Sequence, residues 1–148
     1  MTLLDVVFEE NADYLEVAAE VIKAKAGSDI DTMIAEFILN LPLTRGKTPN
    51  QTMIIGEEGA SPIRITHALH QYSLSMNACM DVVIKMGTIP GLGCVISAMP
   101  PGVSSSSKYQ VSAPLKKMTL YTDDPDEIPL MVCKLAILIK LSILYEVN

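Results

Sequence analysis

The chain predicts an α+β domain in the order ααβαββα, with a small, mostly antiparallel sheet packed with helices. Three observations carry that expectation. Residues 128 to 147 read as a helix apolar around almost its whole circumference. Two earlier segments repeat apolar residues at helical spacing between capping signals. The strand-like runs are short and are separated by Pro, Gly and Ser, which suits hairpins beside helices better than a wound parallel sheet. With 148 residues, one domain spanning 1–148 is expected, able to bury about 68 to 70% of the surface its unfolded form exposes.

Residues 3 to 25 open the order. Leu4, Phe8, Leu15, Ala18 and Ile22 lie near one helical stripe, and Glu9, Glu10, Asp13, Glu16 and Glu20 fall largely outside it, with Asn11 as the weak point. Gly27 fits the position just past a helix end. Ser28 can cap the next helix, and Asp29 and Asp31 favour its positive dipole end. There Ile30, Met33, Ile34, Phe37, Ile38 and Leu41 repeat at i, i+3, i+4, i+7, i+8 and i+11, and Pro42 stops the pattern because its ring has no room in a helix interior.

After the loop from Thr44 to Asn50, Thr52 to Ile55 read as a strand ended by Gly56. Ser61 and Pro62 then predict the start of a long helix running to about Met86, with Ile65, Ala68, Leu69, Tyr72, Met76, Cys79, Met80 and Val83 on its buried face. Leu92 to Met99 form the next strand, followed by the loop from Pro100 to Ser107. Residues 109 to 122 are strand-like. Pro114 divides them, which puts that region on an edge or at a bulge, and Met118 and Leu120 share one face. Asp124 to Glu127 then offer a capping box and acids for the dipole of the last helix.

In that last helix Lys134, Ser142 and Glu146 occupy one narrow sector, and Lys140 alone interrupts the apolar remainder. Such a helix must be surrounded, either in the core or at a subunit interface, where Ile137, Leu138, Leu141 and Leu144 would make the contact. A membrane span is disfavoured, because each lysine would cost about 2.5 to 3.5 kcal/mol near the bilayer centre and no basic loop orients the segment.

Cys79, Cys94 and Cys133 have no CxxC or metal-type spacing and no signal peptide is apparent, so a reducing, cytoplasmic setting is expected. The net charge of −6 divides along the chain. Residues 1–42 hold nine acids and two bases, 43–117 three acids and seven bases, and 118–148 five acids and two bases. A basic middle segment fits an anionic partner, or the acidic ends of a second copy.

The chemical candidates are few. On the predicted third helix His67, His70, Asn77 and Asp81 share one stripe, so His67, His70 and Asp81 form the metal candidate, with Glu57 or Glu58 folding over to complete a small metal-assisted enzyme. Arg45, Lys47, Lys108, Lys116 and Lys117, with Arg64 nearby, could contact phosphates in a nucleoprotein complex if the sheet gathers them. Aromatic platforms for bases are scarce, with no Trp and two Phe. No nucleophile elbow, Walker loop or dinucleotide fingerprint is present, and no cofactor is expected. The strong signals all concern packing, capping and turns. The leading expectation is therefore a non-catalytic subunit of an intracellular homo- or hetero-oligomeric assembly, closed by self-association or a protein partner.

Overall fold

The computed structural model describes residues 13–41, 43–44, 53–56, 65–88, 93–98 and 108–145. Helices α1 (Tyr14–Lys23) and α2 (Ser28–Met33) come first, and α2 widens into a π-helical segment, Ile34–Ile38. Strands β1 (Leu43–Thr44), β2 (Met53–Gly56) and β3 (Ile65–Ala68) follow, then helix α3 (Met76–Thr88). Strands β4 (Val95–Ala98), β5 (Tyr109–Ala113) and β6 (Met118–Thr122) precede the last helix, α4 (Ile128–Leu144). The strands form two three-stranded antiparallel sheets, ordered β1-β2-β3 and β4-β5-β6. The α+β class and the antiparallel pairing are those the sequence predicts.

Helix α4 is the central element. It packs against α1, α2, the π-helical segment, α3 and strands β5 and β6, and twelve of its residues are buried. Full burial of a Leu, Ile or Val side chain contributes about 1.5 to 3 kcal/mol, so Leu135, Ile137, Ile139 and Leu141 dominate this core. Lys134 and Ser142, from its polar sector, are buried as well. Lys134 donates from Nζ to the carbonyl of Ile22 at 2.6 Å, and Ser142 Oγ donates to the carbonyl of Ile139 at 2.6 Å. Lys140 donates to the carbonyl of Phe37 and stands 4.7 Å from the centre of that ring. Among the described residues no helix is long and apolar enough to cross a membrane.

The sequence misplaces one helix start. Over residues 65–75 the helix predicted from Ser61 does not form. Ile65 and Thr66, both β-branched, belong to β3, which pairs with β2 so that His67 lies opposite Ile54. The helix begins only after a turn in which Leu74 N and Ser75 N both donate to the carbonyl of Gln71. Ser75 is its cap, its Oγ accepting from Ala78 N and its carbonyl from Cys79 N.

Three boundaries also move. Asn40, in the left-handed conformation at φ 55, follows the end of the π-helical segment before Pro42 is reached. Gly27 sits at the N-cap of α2 with φ 152, a conformation open to glycine alone, rather than closing α1. Pro114 starts a 3-10 turn, Pro114–Lys116, after β5 has ended, so β5 keeps its hydrogen bonds as the central strand of its sheet. The expected capping box at Asp124 works through a relay. Asp124 accepts from Asp126 N, Asp124 N donates to Thr122 Oγ1, and that hydroxyl donates to Glu127 Oε2.

Candidate interaction surface

Because residues 65–68 are a strand, the polar stripe expected to hold a metal is not a helix face. His67 is on β3, His70 follows the strand, and Asp81 is an exposed residue inside α3. His70 instead packs its ring edge-on to Tyr72, with centroids 5.8 Å apart. Among the described residues no group of three His, Cys, Asp or Glu is placed to hold a metal. Glu57 and Glu58 lie outside the described residues.

The basic patch divides in the same way. Arg45, Lys47 and Arg64 lie outside the described residues. Lys108 stands before β5, its backbone N–H held by Asp123 Oδ1 at 2.9 Å, whereas Lys116 and Lys117 occupy the turn at the other end of the β5–β6 hairpin. Five strand residues, about 17 Å, separate the two groups.

Of the four side chains expected at an interface, Ile137, Leu138 and Leu141 are covered by the chain's own elements. A partner cannot reach them without opening the core. Leu144, in the last turn of α4, is 56% exposed.

The thiols are unsuited to nucleophilic work. Burial pushes Cys79 up to about 12, with Cys94 adding to the effect, and lifts Cys133 well above the ordinary thiol value, with Cys79 and Asp31 adding. All three cysteines are free.

A polar junction that sequence reasoning missed lies beside them. Asp31, 3% exposed, accepts at Oδ1 from both the backbone N–H and the Oγ of Ser73, each at 2.8 Å, and Ser73 Oγ accepts from Gly27 N at 3.0 Å. Burial lifts the Asp31 carboxyl above its ordinary value, while the two bonds from Ser73 act to lower it. Counting from Ile30 at 100° per residue puts Asp31 beside the direction of Ile38, at the border of the apolar stripe. That placement was the available signal. The junction ties the start of α2 to the turn before α3, and every atom named in it is used in packing.

The surface also carries exposed apolar side chains. On α3, Cys79, Val82 and Met86 face the core, while Met76, Met80 and Ile84, at i, i+4 and i+8, form a second stripe about 125° around the helix. Ile84 is 63% exposed. On α1, Leu15 and Ile22 are exposed on one side, and Val95 and Tyr121 are exposed on β4 and β6. The sequence assigned Met76 and Met80 to the buried face, because a helix from Ser61 would have carried that face further along the chain.

No family model matches the chain, and no curated protein matches it. Among solved structures it is similar to a phage protein from Bacillus cereus ATCC 14579, known from a 2.0 Å crystal structure, with a TM-score of 0.53 and 20% identity. The match covers 78% of this chain and 87% of that one. The likeness is one of fold.

Proposed function

We propose that this chain is a non-catalytic subunit of a protein assembly in the cytoplasm, in which further copies or a protein partner cover its exposed apolar surfaces. The observation that carries the reading is the stripe of Met76, Met80 and Ile84, three large apolar side chains in register on a helix whose core-facing side is already filled. Scattered exposed apolar residues are ordinary, but an aligned stripe of flexible Met and Ile beside a complete core is the composition of a contact surface. That a chain of this fold occurs as a phage protein is compatible with the reading and assigns no role to it.

The alternatives have less support. A phosphate-binding patch would need Lys108 beside Lys116 and Lys117, and a metal-assisted enzyme would need His67, His70 and Asp81 on one face.

Sedimentation velocity of the wild type and of a Met80→Glu, Ile84→Glu double variant, over a range of concentrations, tests the proposal. The wild type should associate as concentration rises, and the variant should remain monomeric with an unchanged unfolding midpoint. A wild type that stays monomeric throughout and brings down no partner from its source, or a variant that associates equally well, would overturn it.

A further inference from the structure

The hairpin of β5 and β6 carries opposite charge at its two ends. Lys116 and Lys117, both exposed, form the turn at one end. At the other end Asp123, Asp124, Asp126 and Glu127, all exposed, outnumber the bases beside them among the described residues, Lys108 and the largely buried Lys134 whose charge acts on Glu127. Three of the acids have local bonds, each through one carboxylate oxygen: Asp123 for Lys108 N, Asp124 for Asp126 N, Glu127 for Thr122 Oγ1.

Apolar residues accompany both ends. Val95 pairs with Ser112 and so lies at the lysine end of β4, whereas Tyr121 pairs with Gln110 toward the acidic end of β6. Both belong to the face opposite Val111, which is fully buried beneath the helices, and both are exposed. They mark diagonal corners of the outer face, whose other residues are Ser97, Gln110, Ser112 and Thr119. Lys117 adds an observation of a different kind. It stands in the left-handed conformation, φ 53, where a side chain is strained and glycine would be relaxed.

We infer that the second copy implied by the assembly reading, on which this inference rests, docks head to tail, the Lys116–Lys117 turn of one copy meeting the Asp123–Glu127 corner of the next. Charge complementarity names the occupant, because the basic end of this sheet finds its opposite on the same sheet of an identical chain. The contact is heterologous, each copy presenting two different surfaces, so the product is a ring or an open filament rather than a two-fold dimer. The charges fix orientation and speed the encounter, while Val95, Tyr121 and apolar surface such as the α3 stripe contribute the area.

The test uses two reversed full-length chains: Lys116→Glu with Lys117→Glu, and Asp123→Lys with Asp126→Lys. Each is checked for a native unfolding midpoint and then followed by sedimentation velocity at low and high salt. Each alone should raise the dissociation constant about tenfold or more, and salt should weaken the wild type similarly. Mixing the two variants should restore association, because the acidic ends of one now face the basic ends of the other. If the Asp123 change disturbs the bond to Lys108 N and with it the fold, Asp126→Lys alone replaces it. Association that survives both reversals yet is lost in Met80→Glu, Ile84→Glu would overturn this inference and leave the assembly reading standing; a monomeric wild type would overturn this inference, and one that also brings down no partner from its source would remove both. Wild type that stays monomeric but binds duplex DNA at low salt, with binding lost on reversing Lys116 and Lys117, would assign the turn to phosphate instead.

Discussion

Lys134 of the last helix donates from Nζ to the carbonyl oxygen of Ile22, 2.6 Å away and 112 positions earlier in the chain. Ile22 is in the final turn of α1, where carbonyls lack intrahelical partners; those of Glu20 and Val21 are taken by Ala24 N. The ammonium thus satisfies an orphan acceptor and opposes the negative end of the helix dipole. Lys140 does the same at the end of the π-helical segment, through the carbonyl of Phe37. Together with the tilted ring contact of Tyr14 with Tyr145, centroids 6.1 Å apart, the Lys134 bond aligns α1 antiparallel to α4.

Lys134→Met preserves the apolar stem and deletes the charge. It should lower stability by about 1 to 2 kcal/mol, since a partly buried helix terminus loses its capping cation. Urea unfolding at neutral pH measures this. No change would mean that water replaces the ammonium at Ile22 without cost.

Asp31 gives a pH signature of defined sign. Its pKa in the folded chain is raised above 3.8, so in the window from there up to the raised value the native state holds more protons than the unfolded state. Stability contributed at this site is therefore greatest at low pH and falls as pH rises through that window. Asp31→Asn keeps an oxygen acceptor for Ser73 and removes the titration. Its stability relative to the wild type should rise from pH 4 to pH 7, read from urea midpoints at each pH. A pH-independent difference would show that the carboxylate is ionised in the fold at no net cost.

The sequence made α4 legible because its apolar character needs no partner to be noticed, and α2 because Ile30, Met33, Ile34, Phe37 and Ile38 hold helical spacing. The missed strand β3 is a different case. Residues 65–68 owe their state to pairing with β2, a non-local interaction that competes with helical patterning and leaves no mark in the spacing itself. The lysine caps were hidden for the same reason. Lys134 and Lys140 could be seen to interrupt an apolar helix, but the carbonyls they serve lie more than a hundred residues away. The site residues suffered most. His67, His70 and Asp81 were joined by a helix that begins at Met76, and Lys108 was grouped with Lys116 and Lys117 although one strand length parts them.

Leu141 and Leu144, both expected at an interface, separate two roles within one turn of α4. Leu141 is fully buried in the single chain and Leu144 is 56% exposed. Leu141→Ala removes three methyl-sized groups from a packed core and should destabilise by about 2 to 5 kcal/mol, depending on how far Ile137, Leu138 and their neighbours collapse into the space. Leu144→Ala should change stability by less than about 0.5 kcal/mol, because water already solvates most of that side chain. If copies of the chain cover the end of α4, the second variant instead weakens association while leaving the unfolding midpoint at low concentration unchanged. Thermal and urea unfolding of both variants, run dilute and then concentrated, distinguish these effects, and comparable destabilisation by the two changes at high dilution would contradict the division of α4 into a buried shaft and an exposed tip.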